Sequence, residues 1–266
     1  MSDVLAEILG STGFVRLNRP NRGNSVTPKV VTELGETVQS LCDTDTVRSV
    51  VLTGTGRVFC AGADVQEMNS VYVADGADGL ASYLADVWMP AVQRTVRVIW
   101  GAPKPVVAAL NGAATAGGLD FGLACDARVA STNARFAESY VNLGMVPVAG
   151  GAYLLPLIAG LSAATELLAS GQLIDAERAH ALGLVDQLCS PDELETRAIE
   201  LATKLAHGPA ETFARLKQIV RGPRTADFNS ALQESYEANV SLIRRDDVMS
   251  QIVAVMQRYS KEESIR

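Results

Sequence analysis

The sequence predicts an α/β fold in which strands and helices alternate through the first half of the chain and helices alone fill the second. Three observations carry this expectation. Apolar or β-branched runs recur at 47–53 (VRSVVLT), 105–110 (PVVAAL) and 126–130 (DARVA), as buried parallel strands require. Stretches with helical spacing of apolar residues separate them. After Pro147 the strand signal fades and only helical patterns follow, an order that suits an α/β core with layered sheets and a helical appendage.

Residues 12–17 (TGFVRL) read as the first strand. Val30, Leu34, Val38 and Leu41 then recur at helical spacing behind Pro28, with Thr27 placed to cap. The strand at 47–53 ends at Gly54, a helix is expected over 78–99, the next strand over 105–110, a short helix over 117–125 and another strand over 126–130. Later helices are expected at 149–159, at 162–169 capped by Ser162, at 175–182 between Asp175 and Gly183, and at 191–206. Gly208-Pro209 breaks the last of these, which divides the chain into a core, 1–207, and a helical region, 208–266. That region has amphipathic faces, Phe213, Leu216, Ile219 and Val220 in one stretch and Val248, Ile252, Val255 and Tyr259 in another, so it is expected to pack on the core or on a neighbouring subunit.

With 266 residues and 48% hydrophobic side chains the chain can bury one large core. A net charge of −7, from 23 Lys+Arg against 30 Asp+Glu, argues against nucleic acid and against anionic membrane surfaces as partners, so any anionic ligand must be held locally. No apolar run approaches the ~20 residues of a membrane span, and the acidic MSDVLAEILG start does not read as a signal peptide. Cys42, Cys60, Cys125 and Cys189 lie far apart among apolar neighbours, which suggests reduced, buried thiols and a cytoplasmic protein. His180 and His207 are expected at helix ends and in structural roles, and without a His/Cys cluster no metal site is predicted. Gly54-x-Gly56 runs on to Phe59 where the dinucleotide fingerprint needs a glycine.

Two small-residue loops carry the chemistry. The first, VFCAGADVQE (58–67), places Ala61, Gly62 and Ala63 before Asp64; small side chains admit a ligand to the backbone, whose N–H groups donate to an anion. Taken alone it is equally a tight turn with Asp64 as helix N-cap. The second, Asn111 to Gly118, follows the strand PVVAAL and opens a short helix, although glycines there also serve close helix packing. One N–H from each loop, converging on a single oxygen, would form an oxyanion hole.

The segments N18-R-P20, VVLTGTGRVFCAGAD, KPVVAALNGAATAGG, FAESYVNLG and GLVDQL, in this order, make the chain resemble the enoyl-CoA hydratase/isomerase (crotonase) superfamily over nearly its whole length. The resemblance implies a spiral of repeated ββα units with a helical C-terminal trimerisation region, and homotrimers that pair into hexamers. It implies an acyl-CoA thioester substrate with no cofactor beyond its CoA moiety, N–H donors at Ala63 and Gly117, and a CoA strip along Ala61, Asp64 and Val65. Arg22, Arg258 and Lys261 are weaker candidates for phosphate contacts, with plain surface charge as the alternative.

The chain departs from the family at its acids. Hydratases of the family carry one glutamate three residues after the oxyanion glycine and another four before the glycine of a later L-G step; here those positions are Asp120 and Tyr140. Asp120 keeps a carboxylate about 1.5 Å shorter in reach. Tyr140, with an ordinary pKa of about 10, is a donor and a poor base at neutral pH. Glu138, two residues earlier on what reads as an extended strand, would share Tyr140's face and could replace the missing glutamate. The loop 146–149 lacks the aspartate some relatives use. The expected function is therefore hydration or double-bond isomerisation of an enoyl-CoA through a stabilised enolate, with Asp120 as acid/base and Glu138 or Tyr140 assisting. The alternatives are an acyl-CoA-binding protein with little catalysis, a decarboxylase and a thioester hydrolase.

Overall fold

The computed structural model describes residues 2–263. Chain order is β1 (Val4–Leu9), β2 (Thr12–Leu17), α1 (Pro28–Asp43), β3 (Ser49–Gly54), β4 (Val58–Cys60), α2 (Val65–Tyr83), α3 (Met89–Gly101), β5 (Val106–Leu110), β6 (Ala113–Thr115), α4 (Gly117–Ala124), β7 (Ala127–Ser131) and β8 (Arg135–Ala137). A 3-10 turn, Ser139–Leu143, leads to α5 (Gly151–Ala159), α6 (Leu161–Ser170), β9 (Ile174–Asp175), α7 (Ala176–Ala181), β10 (Gln187–Cys189), α8 (Leu194–Leu205), α9 (Ala210–Leu242) and α10 (Asp246–Glu263).

The strands form a six-stranded sheet, β1-β2-β3-β5-β7-β10, and a four-stranded one, β4-β6-β8-β9. Three successive passes of the chain each give one strand to each sheet, so β3, β5 and β7 are parallel neighbours in the first and β4, β6 and β8 in the second. With the helix that follows each pair, this is the expected spiral of ββα units. It brings the ends of β4 and β6 side by side, with Cys60 opposite Ala114. The loops after those ends are the two small-residue loops.

Every residue of β3, β5 and β7 is buried, which explains their unbroken apolar runs. One face of their sheet joins the main core with Leu34, Val38, Val96 and Ile99 of α1 and α3; the other, with Phe14, Val51 and Val107, is closed by Leu194, Ala198 and Ala202 of α8. Thr27 caps α1 and Asp175 caps α7 as expected, and all four thiols are free and buried.

Several expectations are corrected. Strand β1 escapes the pattern because only Val4 of it is buried. The helix expected at 78–99 begins at Val65, passes a non-helical Gly76 (φ 69°) and continues through a π-helical segment, Leu84–Trp88, into α3. Gly160, not Ser162, stands at the N-cap of α6, and Pro191–Glu193 is a 3-10 turn ahead of α8. Leu216, Ile219 and Val220 of α9 are 56%, 72% and 61% exposed, so that face is not buried within the chain. The opposite outcome holds for Val248 and Ile252, through which α10 settles on the core.

Candidate active site

The first small-residue loop turns at Gly62, whose φ of 89° favours glycine, and a Cβ there would stand 3.1 Å from the Thr115 carbonyl oxygen and 3.6 Å from the Gly117 nitrogen. Thr115 Oγ1 donates to the Ala61 carbonyl at 3.1 Å, which ties the two loops together. A Cβ on Gly118 would fall 2.1 Å from the Cys60 carbonyl oxygen, so glycine lets α4 seat against β4. Ala116 accepts a left-handed conformation (φ 48°) to turn the chain into α4. The N–H groups of Ala63 and Gly117 have no acceptor among the described residues, and Gly117 opens α4, where the helix N-terminus adds positive potential. This is the geometry an anionic oxygen needs.

A cavity of about 110 Å³ lies against the loops. Its wall is made of the small residues Ala61, Ala63 and Ala116, of Val65, Met68, Leu84 and Trp88 from the 65–88 segment, of Leu143, Met145, Val255 and Tyr259, and of polar Ser139 and Asn142. Tyr140 also lines it, whereas Asp120 and Glu138 do not. Both carboxyl groups sit behind the tyrosine, 0% and 1% exposed.

The Tyr140 hydroxyl donates to Asp120 Oδ2 at 3.0 Å. It also hangs beside the loop corner, since a Cβ on Gly117 would be 3.3 Å from Tyr140 Oη. Behind it, a Cβ on Gly151 would lie 2.2 Å from Asp120 Oδ1 and 2.7 Å from Glu138 Oε1, so both acids converge on the first residue of α5. Burial pushes Asp120 up to about 7, opposed by hydrogen bonding from Tyr140 and Glu138 and by the Ala149 and Gly151 amides. Burial, and then the charge of Asp120, push Glu138 well above the usual carboxylate range. Tyr140 is raised well above its ordinary value by burial and by the two acids, so it stays protonated. Two unit charges 4 Å apart repel by about 4 kcal/mol at an effective dielectric of ~20, enough to keep a proton on the pair near neutrality.

One expectation about these acids is corrected. Strand β8 ends at Ala137, and Glu138 (φ −89°, ψ 74°) initiates the 3-10 turn, so no extended pleat places it on Tyr140's face. Tertiary packing against α4 and α5 brings the groups together instead.

Ala61, Ala63 and Val65 line the cavity. Asp64 does not. It accepts from the Gln66 and Glu67 amides as N-cap of α2, pairs with Arg19 at 2.8 Å, and gives its own N–H to the Val26 carbonyl. Arg22 is exposed on the turn Pro20–Arg22, beside the edge where the Ala61 N–H bonds Gly23. Arg258 is exposed along an adjoining groove with Asn142 and Gln251, and the side chain of Lys261 lies outside the described residues. Sequence reasoning missed Gly151, although the Gly150-Gly151 pair opening a helix was its signal, and Trp88, whose role in the wall depends on a tertiary fold.

The arrangement can stabilise negative charge on an oxygen and exchange protons with a nearby carbon through a hydroxyl backed by an acid that titrates near neutrality. Residues 7–262 match the family model described as enoyl-CoA hydratase/isomerase. The chain is 32% identical over 232 residues to the 1,2-epoxyphenylacetyl-CoA isomerase of Escherichia coli (strain K12), covering 87% of each chain. It is 30% identical over 259 residues to the short-chain-enoyl-CoA hydratase of Clostridium acetobutylicum, covering 97% of this chain and 96% of that one. The crystal structure of an enoyl-CoA hydratase from Bacillus halodurans superposes with a TM-score of 0.86 at 27% identity, covering 95% of this chain and 100% of that one.

Proposed function

The chain belongs to the enoyl-CoA hydratase/isomerase family, and from that premise we propose that it hydrates an enoyl-CoA thioester or shifts its double bond, through an enolate held by the Ala63 and Gly117 N–H groups. Two fixed donors in a water-poor site favour the enolate over the neutral thioester, because charge grows on the oxygen only as the reaction proceeds. A single lost donor of this kind costs about 10²- to 10³-fold in rate.

One observation favours the double-bond shift over hydration: Tyr140 lines the cavity while both carboxyl groups lie behind it. A hydratase must hold a water between acceptors that face the substrate. Here no carboxylate faces the cavity, and the lining hydroxyl that is backed by one is Tyr140, whose proton is directed at Asp120. Such a group suits moving one proton between two carbons of the same acyl chain. Tyr140 is thus the proposed catalytic group at the substrate, Asp120 takes and returns its proton, and Ala61 and Val65 flank the thioester. Exposed Arg22 is placed to meet CoA phosphate, with Arg258 a second candidate.

The test is incubation of the purified protein with enoyl-CoA thioesters of graded length and double-bond position. An isomerised product has unchanged mass, and a hydrated one has gained one water. Binding without turnover across the whole series would reject the reading and leave an acyl-CoA-binding protein, while release of CO2 or free CoA would redirect it to decarboxylation or thioester hydrolysis.

Assembly and location belong to the same reading. The exposed Leu216, Ile219 and Val220 support a homotrimer, or a hexamer of paired trimers, and light scattering after gel filtration reads the stoichiometry. Four free, buried thiols support a cytoplasmic setting. Among the described residues no helix is long and apolar enough to cross a membrane.

A further inference from the structure

We infer that Glu138 is a positioning residue that keeps its proton through turnover and, by donating a hydrogen bond to Asp120, fixes Asp120 as the ionised member of the buried pair and as the proton acceptor behind Tyr140. The inference rests on the enolate reading for its kinetics, but the protonation of Glu138 stands independently of the reaction.

Three observations on the structure lead to it. Glu138 is 1% exposed, and neither of its carboxyl oxygens has a hydrogen-bonding partner if both acids are ionised. Asp120 Oδ1 is in the same condition. Two carboxylates are acceptors only, so one proton between them pairs two of the three orphaned oxygens, one as donor and one as acceptor. The close approach of both groups to the Gly151 position leaves no room for a side chain there, which confines them against each other.

The proton belongs on Glu138 for reasons of neighbours. Asp120, on α4, already accepts from Tyr140 and has the Ala149 and Gly151 amides at the start of α5 to stabilise its charge. The titratable groups facing Glu138 are Asp120 on α4, whose charge opposes its ionisation, and Tyr140 on its own turn, which is neutral and does nothing to favour it. A carboxyl with no cation near it and an anion beside it remains neutral.

The proton inventory then closes. In the resting enzyme Tyr140 and Glu138 are both protonated and both donate to the Asp120 carboxylate. As the substrate C–H bond breaks, its electron pair moves into the thioester to give the enolate, the carbon's proton passes to Tyr140 Oη, and the tyrosine's own proton passes to Asp120 Oδ2. The single negative charge has moved from the buried pair to the oxygen held by Ala63 and Gly117. Return of a proton from Tyr140 to a different carbon, with Asp120 handing its proton back, completes a double-bond shift and restores the starting state. Glu138 gives up nothing; it holds the acceptor in place and tunes it.

Glu138→Gln and Glu138→Ala separate this role from its rivals. Glutamine keeps a donor towards Asp120, so its variant should lose no more than a few-fold in kcat and keep the acid limb of the pH profile near that of the parent. Alanine removes the donor, so kcat should fall by about ten- to a hundredfold, the worth of one hydrogen bond to a buried charge, and the acid limb should move to higher pH as Asp120 becomes harder to ionise. Equal losses in both variants would show that Glu138 transfers its own proton, and no loss in either would show it to be filler; each overturns the inference. Infrared difference spectra at about pH 9, above the titration of Asp120, supply a readout without substrate. A protonated-carboxyl carbonyl band should be present in the parent and missing in Glu138→Gln, and a parent spectrum lacking that band refutes the inference even if the enzyme turns over. Far-ultraviolet circular dichroism checks that each variant is folded.

Discussion

The two sides of the proposed active site are built from opposite materials. The proposed oxyanion side is made of main chain, with Ala63 and Gly117 offering N–H groups from loops in which side chains are excluded as far as possible. The acid side is made of side chains, with Tyr140 and Glu138 arriving from a 3-10 turn and its cap, and Asp120 from a helix. A main-chain site is fixed by the sheet register that lays β4 beside β6 and tolerates almost no change of shape. A side-chain site can be rewired by single substitutions, and this is where the chain differs from the glutamate pair of the hydratases its sequence resembles.

The largest break in the comparison should come from Tyr140→Phe, which leaves the N–H pair intact. A loss of roughly 10²- to 10⁴-fold in kcat is expected, with thioester affinity retained in calorimetric titration. Equal loss of affinity would mean that Tyr140 shapes the pocket rather than moving a proton. On the main-chain side, Gly118→Ala forces a methyl towards the Cys60 carbonyl, and overpacking of that kind costs about 1–3 kcal/mol of stability, readable by urea denaturation. Activity should fall with it, since α4 cannot seat and Gly117 moves.

Asp120→Asn separates stability from activity. The folded-state pKa of Asp120 is raised to about 7 from an unfolded value near 4, so the folded state binds the extra proton and its stability declines as pH rises between those values. Asparagine removes that titration, so the variant should melt higher than the parent at pH 8, with little difference below the unfolded pKa, while losing most of its turnover. A lower melting temperature at pH 8 would show that the carboxylate is better compensated than its burial implies. The smallest effect is expected of Arg22→Ala, a few-fold rise in KM that shrinks with added salt and leaves kcat alone, because an exposed charge is screened.

The same contrast governs what the sequence discloses. The oxyanion loops are legible because a main-chain site needs small residues at fixed spacing, and Ala61, Gly62, Ala63 and Gly117 are such a pattern. The parallel strands at 49–54 and 106–110 are legible because burial on both faces leaves continuous apolar runs. The acid cluster is legible only as a set of residue types. That Glu138 meets Asp120 depends on α5 approaching through Gly151, a contact across 31 positions of sequence from Asp120 to Gly151. Strand β1 and the start of α2 were hidden for a different reason, since exposed edge strands and a helix interrupted by Gly76 carry little periodic signal.

Helix α10 gives the cavity a position in time as well as in space. Its Val255 and Tyr259 close one wall that Leu143 and Met145 begin, more than a hundred residues earlier. During synthesis from N- to C-terminus the proposed N–H donors, Tyr140 and the two acids are all translated before that wall exists. A ribosome-bound intermediate can therefore fold its sheets around an assembled set of reactive groups that still stands open to water. The enclosure that separates a productive enolate from a wasted one comes with the last helix of the structure, so catalytic competence is a late event in the life of each chain.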